Sequence, residues 1–174
     1  MQVELKANGK TVQVEMTEEQ AKILGLAEER SRTGYERVEV EETYYFVDVD
    51  DEITNMKHNG QLDRDCYDVG NYYSNKTIAE NNARADRLLR QLRQWQALND
   101  KSISEKDWND ESKKKWFVAY SYGAEKLYAD YYYIMRLPNT IHFATKEKAE
   151  EAIEVFRDEL IWYFVEYQQR LDEE

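Results

Sequence analysis

The sequence predicts an α+β protein: an N-terminal β-hairpin with a short helix, then two β-β-β-α units, each a short antiparallel sheet carrying an amphipathic helix. Three observations predict it. Apolar residues at Ala149, Ala152, Ile153, Phe156, Leu160, Phe164, Tyr167 and Leu171 follow the three-then-four spacing that lines one helical face, so the stretch Thr145 to Tyr167 reads as one helix. Asn8-Gly9 between two alternating runs is the favoured two-residue hairpin turn, because both positions tolerate positive φ. Strand-like runs precede a helix twice, with YYSNKTIAE aligned on HFATKEKAE and YYFVDVDDEITN on WFVAYSYGAEKL.

In chain order, residues 1–34 hold the hairpin and short helix. Pairing outward from the turn sets Leu5 opposite Val12, Val3 opposite Val14, Met1 opposite Met16, Glu4 opposite Gln13 and Lys6 opposite Thr11. Thr17 to Gln20 is a capping box opening a helix through Ala21, Ile23 and Leu24, which Gly25 ends, and a charged connector follows from Glu28. The first β-β-β-α unit covers 35–98. Its run from Tyr35 to Asp50 alternates as one long strand or two, Asp50-Asp51 and Asn59-Gly60 are turn signals, and residues 54–66 are a polar excursion. Tyr67 to Ser74 reads as a strand leading into a helix over Lys76 to Leu98, capped by Asn75 or Ser74, with Ala85, Leu88, Leu89, Leu92 and Trp95 on its core stripe. Residues 99–115 are a polar connector anchored by Trp108. The second unit, 116–174, has strands at WFVAYSY, LYADYYYIM and TIHF, turns at Gly123-Ala124 and Pro138-Asn139, and the closing helix, which Thr145 caps. Val155 and Trp162 add a second apolar strip to that helix, which permits a homodimer.

Charge is unevenly spread. The chain of 174 residues carries a net −12, divided as −1 over 1–35, −8 over 36–75, +3 over 76–115 and −6 over 116–174. Such a balance disfavours direct attraction to nucleic acid or anionic lipid and favours a basic partner. No stretch approaches the 18–20 apolar residues that span a bilayer, and a lone Cys66 with no secretion-type start fits a reducing cytoplasm.

Catalytic and cofactor chemistry lack a signature. His58 and His142 have no partner at metal-ligand spacing, and Cys66 has no activating neighbour beyond Arg64. The acidic run Asp48 to Glu52 lacks the glycine and distal glutamate of a calcium loop, and the six glycines form no phosphate-cradling cluster. We therefore expect no enzyme, no metal and no cofactor.

Two surfaces remain. Glu39 with Glu41, and Asp48 with Asp50 and Glu52, fall at alternate positions that an extended strand would place on one face about 6–7 Å apart, with Asp51 in the same run, as an imitation of successive phosphates. Tyr128, Tyr131, Tyr132 and Tyr133 add the amphipathic rings enriched at interfaces. The alternative surface is basic: Arg84, Arg87, Arg90 and Arg93 on the second helix can meet phosphates. Equally, Glu80 to Arg84 and Asp86 to Arg90 read as i,i+4 pairs on a solvated face.

Across YERVEVEETYYFVD, GNYYSNKTIAENNARADRLLRQL and FATKEKAEEAIEVFRDELIWYF, the chain resembles small acidic phage- or prophage-encoded proteins of Gram-positive bacteria. The likeness spans most of 35–166 and carries no catalytic group. It implies a counter-defence protein such as an anti-CRISPR inhibitor or DNA mimic. Such a protein would work in the cytoplasm of a bacterial host, its partner a host defence protein or ribonucleoprotein with a basic surface.

Overall fold

The computed structural model describes residues 2–7, 10–15, 17, 20, 23, 24 and 32–173, and its backbone divides into two units, 1–33 and 34–174. In the first unit, β1 (Gln2–Ala7) and β2 (Lys10–Glu15) form an antiparallel ladder in the predicted register, with Val3 facing Val14 and Leu5 facing Val12. The reciprocal cap is present too: Thr17 N–H donates to Gln20 Oε1 at 3.0 Å and Gln20 N–H to Thr17 Oγ1 at 3.2 Å. The Asn8-Gly9 turn, the Met1–Met16 pair, helix positions Ala21 and Gly25, and connector residues 28–31 lie outside the described residues.

The second unit is α+β, built on two antiparallel hairpins. The first joins β3 (Thr43–Val47) to β4 (Ile53–Lys57), and the second joins β5 (Lys115–Ser121) to β6 (Lys126–Tyr132). A single residue from farther along the chain pairs with the first strand of each. Tyr73 exchanges two 2.8 Å backbone hydrogen bonds with Tyr45, and Phe143 exchanges bonds of 2.7 and 3.0 Å with Trp116. Two residues after each bridge stands the N-cap of a helix. Asn75 Oδ1 accepts from Ile78 N–H at 3.1 Å and opens α2 (Lys76–Asn99), and Thr145 Oγ1 accepts from Lys148 N–H at 3.3 Å and opens α4 (Lys146–Val155). The bridging segment thus lies on the same side of the hairpin in both halves.

Several strands and connectors depart from the sequence reading. Of the run 35–50 only Thr43–Val47 is a strand. Glu39 to Glu42 form a turn in which Glu41 adopts φ 70° and Glu42 N–H donates to Glu39 O at 3.0 Å, so the Val/Glu alternation there has no ladder to serve. The polar excursion 54–66 becomes β4 and the start of α1 (Gln61–Asp68). Tyr67 is helical, and the expected strands 67–74 and 140–143 shrink to the one-residue bridges. The connector contains one helical turn, α3 (Glu105–Trp108), capped by Ser104 and Asp107. Asp100 Oδ2 accepts from Ala144 N–H at 2.7 Å, which ties the connector to the start of α4.

The expected helix from Thr145 to Tyr167 is two helices. Phe156, at φ −112° and ψ 20°, separates α4 from α5 (Arg157–Val165), although no Gly or Pro stands there. The apolar stripe is nevertheless met on both sides of the break. Ala149, Ala152, Ile153 and Leu160 are buried, and Phe156 and Phe164 pack on the same core with Leu88, Leu92 and Phe143 of the other elements. A second cluster gathers Tyr44, Cys66 and Tyr72, and a third gathers Tyr73, Ile78 and Ala79.

The break also removes the second apolar strip. Val155 is 60% exposed on α4, whereas Trp162 is buried on α5 beneath the Arg84 guanidinium, 4.0 Å from its ring centre. Trp162 is therefore a core residue of its own chain, and the strip offered for a homodimer does not exist as a surface.

Gly34 begins the second unit at φ +96°. An added Cβ would stand 2.8 Å from Ile78 Cγ1, and Gly34 O accepts from Ser74 N–H at 2.8 Å, so this position needs glycine for both conformation and space. No helix among the described residues is long and apolar enough to cross a membrane.

Candidate functional site

The six acidic positions singled out from the sequence fall into two turns at opposite ends of the first hairpin. Glu39 and Glu41 lie in the turn before β3, where Glu41 N–H donates to His58 O and Lys57 Nζ donates back to Glu41 O at 2.8 Å. Asp48, Asp50, Asp51 and Glu52 form the turn between β3 and β4, closed by Asp48 N–H on Glu52 O at 2.9 Å. Five strand residues separate the two turns, about 17 Å at ordinary strand rise. The expectation that Glu39 with Glu41, or Asp48 with Asp50 and Glu52, line the face of an extended strand is thus corrected, since neither group lies on a strand.

Within the 48–52 turn one carboxylate faces inward. Asp51, at φ 65°, receives Arg87 Nε on Oδ2 at 2.5 Å and Arg90 Nη2 on Oδ1, and Arg87 Nη2 also donates to its carbonyl at 3.2 Å. Burial alone would raise the Asp51 carboxyl, but the two guanidiniums outweigh it and hold it below the usual carboxylate range. Asp48, Asp50 and Glu52 remain exposed, with no ion pair among the described residues.

The alternative basic stripe is therefore largely taken up by the fold. Arg87 and Arg90 hold Asp51, and Arg84 makes a two-point pair with Glu159 at 2.9 and 3.0 Å while lying over Trp162. The pairs expected locally, Glu80 with Arg84 and Asp86 with Arg90, give way to partners 75 and 39 residues distant. Arg93 is exposed and has no ion pair among the described residues.

Strand alternation divides the tyrosines. On β6, Tyr131 packs against Trp116 at 4.9 Å with Lys114 Nζ 4.0 Å above its ring, whereas Tyr132 points the other way and stacks on Phe117 at 5.0 Å. Tyr133 rests against Tyr131, and Tyr128, opposite Ala119, is 38% exposed. The four rings do not make one patch, and they stand on the other hairpin from the acidic turns.

A buried polar cluster escaped the sequence reading. Asp63, 2% exposed on α1, accepts Asn59 N–H at 2.6 Å and Gly60 N–H at 2.5 Å. His58 Nδ1 lies 3.6 Å from Asp63 Oδ2 and 3.4 Å from the Tyr72 hydroxyl. Burial would raise Asp63, but the Gly60 N–H, the neighbouring Tyr44 hydroxyl, the Asn59 N–H and His58 lower it, so it is a carboxylate held as a helix cap. Beside it the Tyr44 hydroxyl is fully buried without a hydrogen bond, pushed up by burial and then by the Asp63 charge, and burial likewise pushes the Cys66 thiol up. A raised thiol is a poor nucleophile, and no cluster of three metal-ligating side chains exists among the described residues. The signal in the sequence was Asp63 three residues after Gly60, a capping spacing within the stretch read as a polar excursion.

Comparison of the chain with known protein families, with curated proteins and with solved structures finds no match.

Proposed function

We propose that the protein is a phage-derived counter-defence protein that inhibits a basic nucleic-acid-processing complex of the host by binding it through the 48–52 turn. The observation that carries the reading is the division of labour in that turn. Asp51 is anchored by Arg87 and Arg90, and the anchor fixes a backbone that presents Asp48, Asp50 and Glu52 outward. Preorganised carboxylates lose little freedom on binding and steer a cationic partner from a distance. Segment 36–75, which contains this turn, supplies −8 of the net charge and so favours a cationic partner. The phage origin rests on the resemblance over 35–166. Pairing of three arginines within the fold favours a protein partner over bare nucleic acid.

The test begins with partner capture from host lysate and continues with the purified partner. Its affinity for the wild type should fall steeply between 50 and 300 mM salt, its nuclease activity should drop on binding, and the Asp48→Lys, Asp50→Lys, Glu52→Lys variant should bind at least about tenfold more weakly. Unchanged affinity in that variant refutes the assignment.

A further inference from the structure

Away from the acidic hairpin, β5, α2, α5 and the loop before Phe143 enclose an apolar cleft of about 400 Å³. Leu88, Leu92, Phe143 and Leu160, none more than 5% exposed, form its floor, and residues 138–141 form its roof. Charged residues make up 34% of the chain, yet none lines the cleft. The cleft opens to solvent while its floor reaches core side chains, so it leaves apolar surface in contact with water that an apolar ligand would cover.

We infer that this cleft is a binding site for a neutral small molecule of two or three rings. Size sets the number of rings. A cavity of about 150 Å³ takes one benzene, so about 400 Å³ takes two or three such units, within the range of ordinary ligand sites. The uncharged wall sets the charge, since an ion entering would shed its water with no partner to replace it. Aromatic side chains on several sides, Phe143, Tyr163 and Phe164 among them, suit a flat ring system. The Tyr122 hydroxyl donates to Phe164 O and ties two lining residues together, and a cleft of about 400 Å³ suits a small molecule better than a helix, which with its side chains is about 10–12 Å across. Thr140, on the roof, donates its hydroxyl to Pro138 O at 3.4 Å and leaves its oxygen to accept from a hydroxyl on the ligand. The inference stands apart from the acidic turn and does not depend on it.

The probe is N-phenyl-1-naphthylamine, a neutral three-ring molecule that fluoresces strongly only in apolar surroundings. Titrated into the full chain, it should bind saturably at one site and shift the amide resonances of Leu92, Val118, Ile141 and Phe164. Leu89→Trp and Thr140→Phe, which fill the cleft from its half-buried sides, should each weaken binding about tenfold or more. Val155→Trp, on the exposed face of α4, should leave it unchanged. Near-UV circular dichroism confirms the fold of each variant, and the amide map of the wild type decides the matter should a filling variant unfold. Absence of saturable binding up to the probe's solubility, undiminished binding in a folded Leu89→Trp or Thr140→Phe, or shifts centred elsewhere would overturn the inference.

Discussion

Replacing Asp51 with Asn tests the anchor under the acidic turn. The perturbation removes charge and little else, because Asn tolerates the left-handed conformation of this residue, φ 65°, as well as Asp does. Asp51, Arg87 and Arg90 have side-chain exposures of 26%, 49% and 53%, so solvent screens both pairs and each contributes about 0.2–1 kcal/mol. The expected loss is about 1 kcal/mol in total, a fall in Tm of roughly 3 °C for a domain of this size. Urea unfolding of wild type, Asp51→Asn, Arg87→Ala and the double variant measures the coupling directly. Most of it should vanish in 1 M salt, where the screening length is about 3 Å. The sign with pH follows from the lowered Asp51 carboxyl: its contribution is present above the unfolded value of 3.8 and is lost as pH falls through the lower folded value. A coupling near zero, or a loss as large in 1 M salt as at low salt, would refute the anchor. Asp51→Asn also frees Arg87 and Arg90, so it should bind DNA at low salt more tightly than the wild type does.

Three further outcomes follow from individual residues. Tyr44→Phe removes a fully buried hydroxyl that has no hydrogen bond, and should stabilise the protein by about 1 kcal/mol in urea unfolding; a loss of similar size would mean that the hydroxyl is bonded to Asp63. Gly34→Ala forces Cβ against Ile78 at φ +96° and should cost about 2–3 kcal/mol, whereas Gly123→Ala, with open space around it, should cost less than about 1. His142 is kept neutral chiefly by burial, with Arg136 nearby, against the opposing Thr140 carbonyl. Its pKa is lowered from 6.5, so its contribution is complete above that value and declines as pH falls below it. The urea midpoint should therefore drop between pH 7.5 and 5 by more in the wild type than in His142→Gln.

Local chemistry was legible where it was strong. The register of β1 with β2, the Thr17–Gln20 cap, and the caps at Asn75 and Thr145 each depend on residues within a few positions of one another. What failed depended on distant partners. Alternation at 36–42 looked like a strand, but the backbone turns at Glu41 to pair with His58, and no local signal marks that. Helix α4 ends at Phe156 although the stripe on both sides of it packs on one core, and no Gly or Pro marks the place. The alignment of the two halves holds at Tyr73 and Phe143 but is one residue out of step over the hairpins. The sequence alignment set Tyr44 on Trp116, whereas the bridges set Tyr45 on Trp116 and therefore Tyr44 on Lys115. Those two are 0% and 1% exposed, yet one is aromatic and the other is a lysine whose ammonium donates to the carbonyls of Asp110 and Tyr133. That chemical mismatch at equivalent places hid the register. In the site, Asp51 could not be told from Asp48 and Asp50 until the fold brought Arg87 and Arg90 to it.

Titration with an oligoarginine peptide, followed residue by residue through amide resonances, tests the central claim most directly. The outward carboxylates of 48–52 should take up the peptide first, with the largest shifts there, and the Asp48→Lys, Asp50→Lys, Glu52→Lys variant should lose them while keeping its fold. Shifts spread evenly over the acids of α4 and α5, or unchanged in that variant, would contradict the claim that this turn is the protein's binding edge.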